Sequence, residues 1–345
     1  MTATAAATTS SEAVAVSCTL GVALGRTADQ LTVELVQAAL AGGAELGWPA
    51  RPVGETDDRS GLTALLGIGY QGSFGSILAA ASGCRRVAWM GEIVNPTVSE
   101  PGPLRRLARS RAMKPLAYPM RPFKRLPLPG PLDRARAAAT LERDLGRNLR
   151  DVDALAGTVD RIVVTSRDRQ AALAERGIAS VAVPFGYAAA VAGPITPPEV
   201  GDRDIVFASL ARVDFRRADR RAIVGEWSAV EPRLRHFDGS WGAPRNELLR
   251  RSKIVLNVSR SPGNFVGWRL LLALAAGAVV VSEPMTDPYP FAPGIHYVEA
   301  PLDGLLAAAR DLEADEPRRR RIASAGQALL EGELAMSRCL SRAIP

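Results

Sequence analysis

Which fold this chain adopts turns on NFVGWRLLLALAAGAVVVSEP, residues 264–284, where the longest apolar run lies. From Leu270 to Val281 no side chain is polar. A membrane-spanning helix needs about 20 consecutive apolar residues. This run supplies about a dozen, with Gly277 among them. It also lacks the polar face of a helix lying on a protein surface. Two elements in series remain. One is a buried helix over 269–276, stopped by Gly277 in the C′ position. The other is a Val-rich strand over 278–282, apolar on both faces as the strands of a parallel sheet are.

The same alternation recurs on both sides of that stretch. Before it, residues 13–18, 62–70, 85–94, 160–166 and 178–184 read as strands. Residues 27–43, 74–83, 141–157 and 167–177 read as helices, the first with a glycine stop. PFGYAAAVAGPITPPEVGD, 184–202, has Pro and Gly at both ends and few charges, the composition of a linker. The alternation then restarts. Strands are expected at 204–210, 233–239, 253–259 and 295–300, and helices from about 217, over 246–252, and twice within 302–335. This predicts an α/β chain of two facing Rossmann-like domains, 13–184 and 203–345, joined by a linker at 185–202. Residues 1–12 read as a disordered tail of small residues.

Lys and Arg number 43 against 36 Asp and Glu, a net charge of +7. That excess points to an anionic partner: nucleotide phosphates, a membrane surface or nucleic acid. Aromatic residues are only 5% of the chain and are not interleaved with the arginines, which argues against nucleic acid. Cys18, Cys84 and Cys339 form neither a disulfide framework nor a zinc spacing, and fit a reducing, cytoplasmic interior. The first residues, MTATAAATTSSEA, carry no basic region leading into an apolar core, so no signal peptide is expected. Residues 101–136 hold eight prolines, ten Lys or Arg and one acid, Asp133. Prolines this dense argue against a long regular helix. The segment is either a solvated basic loop or a rim facing an anionic acceptor or, at the inner membrane face, anionic lipid.

ELLRRSKIVLNVSR (247–260), GWRLLLALAAGAVVVSE (267–283), FAPGIHYVEAPLDGLLAAARDL (291–312) and DEPRRRRIASAGQALL (315–330) follow one another in an order that resembles a known family. They resemble the nucleotide-sugar domain of GT-B glycosyltransferases, the group-1 enzymes and their CgeB-like relatives. DRIVVTSRDRQAALAERGIASVAVPFGY (160–187) resembles the last unit of the partner domain in the same fold. The resemblance implies a glycosyltransferase that takes a sugar from a nucleotide-diphosphate donor such as a UDP-sugar. It departs at two places. Where retaining group-1 enzymes carry two glutamates eight residues apart, one for the sugar and one for the ribose, this chain has Asn264 and Leu272. Asn264 can still hydrogen-bond a hydroxyl or phosphate, whereas Leu272 accepts nothing.

The candidate site follows from what such a transfer needs. A leaving diphosphate is held by amides at a helix start and by arginines. The turn SRSPGNFVGWR (259–269) follows an apolar strand and opens a helix, so Ser259, Ser261, Gly263, Asn264, Phe265 and Arg269 are donor-site candidates. Its plain alternative is an ordinary βα turn. Ser209, Arg212, Arg216 and Arg217 lie at or beyond the C-terminal end of the first strand of the second domain, where ligands of open α/β sheets bind. His236, Asp238 and Trp241, with Phe237, stand at another strand end and would border the base, although for His236 a packed strand-end imidazole is a plainer reading than a catalytic role. His296 reads as structural. In the first domain Gly69, Tyr70 and Gln71 are candidate acceptor contacts, and Glu92 is the best-placed carboxylate for taking a proton. No Asp-x-Asp pair suits a catalytic metal, so neither metal nor cofactor is expected. The rival to an enzyme is a catalytically silent fold relative that binds an anionic partner through its basic loop.

Overall fold

The computed structural model describes residues 18–92, 94, 130–199, 203–209, 218–236, 240–259, 261, 263–265 and 267–345. The expected tail, nearly all of the strand expected at 13–18, the basic segment over 101–129, and Arg212, Arg216, Arg217, Phe237 and Asp238 lie outside the described residues.

The first domain is a six-stranded, all-parallel sheet. In chain order its strands are β1 (Leu20–Ala23), β2 (Ala50–Val53), β3 (Ala64–Gly69), β4 (Arg85–Met90), β5 (Arg161–Val164) and β6 (Val181–Ala182). They lie side by side as β2-β1-β3-β4-β5-β6. The second sheet has five parallel strands: β7 (Ile205–Ser209), β8 (Leu234–His236), β9 (Ser252–Asn257), β10 (Val279–Ser282) and β11 (Val298–Glu299). Their order is β11-β10-β9-β7-β8. In both sheets the first two strands of the domain lie on the side opposite to the later ones. Each therefore has one point where the winding reverses, between β1 and β3 and between β7 and β9, and ligands of such sheets bind outside the strand ends there.

The helices among the described residues are α1 (Gln30–Glu45), α2 (Gly75–Ala79), α3 (Gly130–Ala156), α4 (Arg167–Ala174), α5 (Ala189–Ala192), α6 (Ala218–Val230), α7 (Gly242–Arg250), α8 (Gly267–Ala275), α9 (Leu305–Ala314), α10 (Glu316–Glu331) and α11 (Met336–Ala343). None is long and apolar enough to cross a membrane. The opening stretch behaves as its composition demands. Leu270 to Ala275 of α8 and all four residues of β10 are buried, and Gly277 between them has φ of +76°. Only glycine takes that conformation without strain, and here the Arg203 guanidinium and the Thr196 carbonyl also crowd the place a Cβ would occupy.

Several boundaries differ from the sequence reading. The first described strand is LGVA at 20–23; of the strand expected at 13–18 only Cys18 is described, and it lies outside any strand. β2, which contains Pro52, was not expected. The first helix is capped by Asp29, whose Oδ1 accepts from the Thr32 amide at 2.9 Å. It does not stop at Gly42 and Gly43 but runs through them. Gly42 is a contact point: a Cβ there would sit 2.6 Å from Met336 Cγ and 2.9 Å from Leu340 Cδ1. α3 is described from Gly130 and so includes Pro131 and the end of the Pro-rich segment. α7 begins at 242 rather than 246. The described part of the linker, 185–199, carries α5, and the Tyr187 amide donates to the Leu334 carbonyl at 2.6 Å. The last helix, α11, leaves the expected second domain, 203–345, and packs on α1 of the first. One apolar core thus runs through both domains, with Leu35, Ala38 and Ala39 of α1, Leu270 to Ala276, and Met336 and Leu340 of α11 in a single cluster.

Candidate functional site

The C-terminal strand ends of the two sheets meet at the seam between the domains. On the first-domain side, β3 delivers Gly69, Tyr70 and Gln71, and β4 delivers Gly91 and Glu92. A 3-10 turn over Gln71–Ser73 folds the chain back, and the Gln71 amide donates to Glu92 Oε1. Glu92 Oε2 is sealed from water and has no hydrogen-bond partner among the described residues. Burial pushes this carboxyl up to about 7, against the lowering pull of the Gln71 amide and, more weakly, of the Arg169 charge. The middle of α3 covers the same strand ends. Arg147 lies over the Tyr70 ring at 5.4 Å, and Gln71 Nε2 approaches the Asp151 carbonyl at 3.5 Å. The expected acceptor residues and the expected base are therefore brought together. Their neighbours on α3 were missed, because a charged helix face carries no signal beyond solvation.

On the second-domain side the expected donor residues divide. Ser209, Ser259 and Ser261 are fully buried, so their hydroxyls do not meet a ligand in this arrangement. Ser259 Oγ lies 2.7 Å from Glu283 Oε1 and 2.5 Å from the Ser261 carbonyl. Glu283, a buried acid at the end of β10 that sequence reasoning passed over, is thus a brace for the turn. Phe265 is 5% exposed and packs on Phe291 with ring centroids 6.0 Å apart, as a core residue rather than a ligand contact. Arg269 is half-buried, and its Nη1 donates to the Val258 carbonyl at 2.9 Å and toward Asn257 Oδ1 at 3.3 Å, tying the start of α8 to the end of β9. Leu272, at the place of the second family glutamate, is buried in the core. His236 is exposed, its Nε2 2.9 Å from Ser228 Oγ of α6. His296 is structural: its Nδ1 accepts from the Ala292 amide at 2.9 Å. Gly263, Gly267 and Trp268 remain partly accessible at the turn. Among the described residues no three His, Cys, Asp or Glu side chains group as metal ligands.

Three first-domain side chains reach across the seam. Arg169, on α4, is 2% exposed; its Nη2 donates to Asn264 Oδ1 at 2.7 Å and toward the Phe265 carbonyl at 3.4 Å, and its Nη1 donates to Thr165 Oγ1. Arg167 pairs with Asp287, just beyond β10, at 2.8 Å and lies 4.3 Å over the Tyr289 ring. Glu34 on α1 forms a buried pair with Arg245 on α7 at 2.8 Å and accepts the Gly242 amide at 3.1 Å. Trp241, beside that pair, holds its ring 5.9 Å from the Arg245 guanidinium. None of these arginines or acids was a candidate, since nothing in the sequence marks them as meeting the other domain. The donor turn is consequently covered by the first domain: Asn264 is only 9% exposed.

Residues 204–340 match the family described as glycosyl transferase-like. A comparison with curated protein sequences finds no match. Among solved structures, Anabaena HepE in complex with UDP-glucose superposes with a TM-score of 0.56 at 11% identity, over 94% of this chain and 98% of that one. Sucrose-phosphate synthase from Thermosynechococcus elongatus gives 0.55 at 11% identity, over 94% and 97%. A glycosyltransferase from Rickettsia africae gives 0.56 at 11% identity, over 95% and 97%. At these identities the likeness establishes architecture, and it spans both domains. This chain therefore has the two-domain GT-B glycosyltransferase fold and carries in its second half a glycosyl transferase-like domain.

Proposed function

We propose that the chain works as a glycosyltransferase, moving a sugar from a nucleotide-diphosphate donor to an acceptor hydroxyl, without a metal. The observation that carries this reading is the pairing across the seam: Glu92, with its carboxyl raised to about 7, stands in the first domain, and Arg169 beside it is hydrogen-bonded to the turn that opens α8. In this reading the diphosphate lies against the first amides of α8, which have no intrahelical partner and carry the positive end of the helix dipole. Glu92 takes the acceptor proton, with the acceptor hydroxyl displacing what seals Oε2, as the new bond forms at the anomeric carbon and the sugar–phosphate bond breaks. A carboxylate that changes state near neutral pH suits that task.

HepE, whose length is almost fully matched, binds UDP and UDP-glucose, and this supports a uridine nucleotide as the donor. With Leu272 buried, a ribose contact would have to come from another residue. The acceptor is proposed to be anionic or lipid-linked, met by the basic segment 101–136, most of which lies outside the described residues, and the same segment would make any peripheral membrane contact. A panel of nucleotide sugars with mass detection of free nucleoside diphosphate tests the reading. Release from at least one donor, lost in Glu92→Gln, supports it; no release and no binding of any donor defeats it.

A further inference from the structure

We propose that Arg169 is a positioning residue of the transfer reaction, fixing Asn264 so that its amide hydrogens, and not its amide oxygen, face the donor sugar. This deepens the nucleotide-sugar reading above and rests on it. A guanidinium has donors only, so the atom of Asn264 that meets Arg169 Nη2 at 2.7 Å must be the oxygen. The contact is charge-assisted and short. Arg169 has little freedom to release it, because its other nitrogen donates to Thr165 Oγ1 and the side chain is 2% exposed. Swinging away would strand a buried charge and a buried carbonyl together.

The orientation of Asn264 has a chemical consequence. Asn264 Nδ2 donates to no protein group among the described residues, and it is not among the polar atoms sealed from solvent. It is therefore a side-chain atom at the turn, among the described residues, with hydrogens to give. The family glutamate at this place would accept a hydrogen from a sugar hydroxyl. Here the polarity is reversed, and the recognised sugar atom is an acceptor: a hydroxyl oxygen used as such, or a carbonyl or carboxylate oxygen. The donor-sugar subsite is then composite, with the recognising group on the second domain and the group that orients it on the first.

Titrations of UDP and of UDP-glucose into wild-type, Arg169→Ala and Arg169→Lys protein test this. Loss of one oriented hydrogen bond predicts that Arg169→Ala binds UDP-glucose about 10-fold more weakly. UDP, which lacks the glucosyl residue that Asn264 would meet, should bind within about 2-fold of wild type. Lysine, which also only donates, should restore most of the UDP-glucose affinity. Equal weakening of both ligands, or no change in either, or no recovery in the lysine variant, would overturn the inference and leave Arg169 as a support of the fold. A wild-type protein that binds neither UDP nor UDP-glucose would instead bring down the nucleotide-sugar reading, and this inference with it.

Discussion

Replacing Glu92 by glutamine should make the protein more stable at alkaline pH and nearly inactive, and the size of the first effect can be worked out. The glutamate carboxyl is raised by burial to about 7, and in the unfolded chain it returns to about 4.5. The folded state therefore holds the proton more tightly than the unfolded state does. Stability from this group is complete below the unfolded pKa and is lost as pH rises through about 7. The full loss corresponds to about 3 kcal/mol, of which about 2.5 falls between pH 5 and pH 8. Glutamine resembles the protonated acid: its Oε1 still accepts from the Gln71 amide, and its nitrogen occupies the place of the sealed Oε2. Urea unfolding of both proteins at pH 5 and pH 8 measures the difference. The variant should gain about 2.5 kcal/mol on wild type between the two pH values. A gap that is the same at both would mean that Glu92 does not titrate near neutrality, and the assignment of the proton acceptor would fall. In a turnover assay the wild-type rate should rise with pH through about 7, and the variant should lose about 100-fold or more in kcat.

Other perturbations test the seam and the core. Glu34→Ala strands Arg245 in a buried contact between the domains, and should cost about 3–5 kcal/mol by chemical denaturation, whereas Glu34→Gln with Arg245→Met should cost clearly less. Gly42→Ala forces a methyl into Met336 and Leu340; a loss of about 1–3 kcal/mol is expected, with faster hydrogen exchange in α11. Leu272→Glu restores the family residue in name only. It places a carboxylate in the core, and a loss of about 4 kcal/mol or more, with no gain in nucleotide affinity, is expected by thermal unfolding and titration.

The parts of this molecule that were legible in the sequence are those where one residue type settles the matter. The α8–β10 unit was read almost to the residue, since nothing but a buried helix, a left-handed glycine and a strand covered on both faces fits LLLALAAGAVVV. Gly42 and Gly43 misled because they mark close packing against α11, a contact made nearly three hundred residues later in the chain. The linker read as loop, but Tyr187 and α5 are held by α1 and by the segment before α11. Glu92, Tyr70 and Gln71 could be placed side by side from the sequence because strand ends in a parallel sheet point the same way. The donor serines show the limit of this reading: a serine after a strand also braces its own turn, as Ser259 does with Glu283. Arg169, Arg245 and Glu34 gave no signal, because only the approach of the other domain turns a surface charge into a buried one.

The central claim is that the strand ends of both domains form one nucleotide-sugar site. Hydrogen exchange with and without UDP-glucose tests it most directly. The account predicts that amides of 69–73 in the first domain and of 263–270 in the second slow together, at the same ligand concentration. Protection confined to one domain, or found only away from both segments, would contradict it.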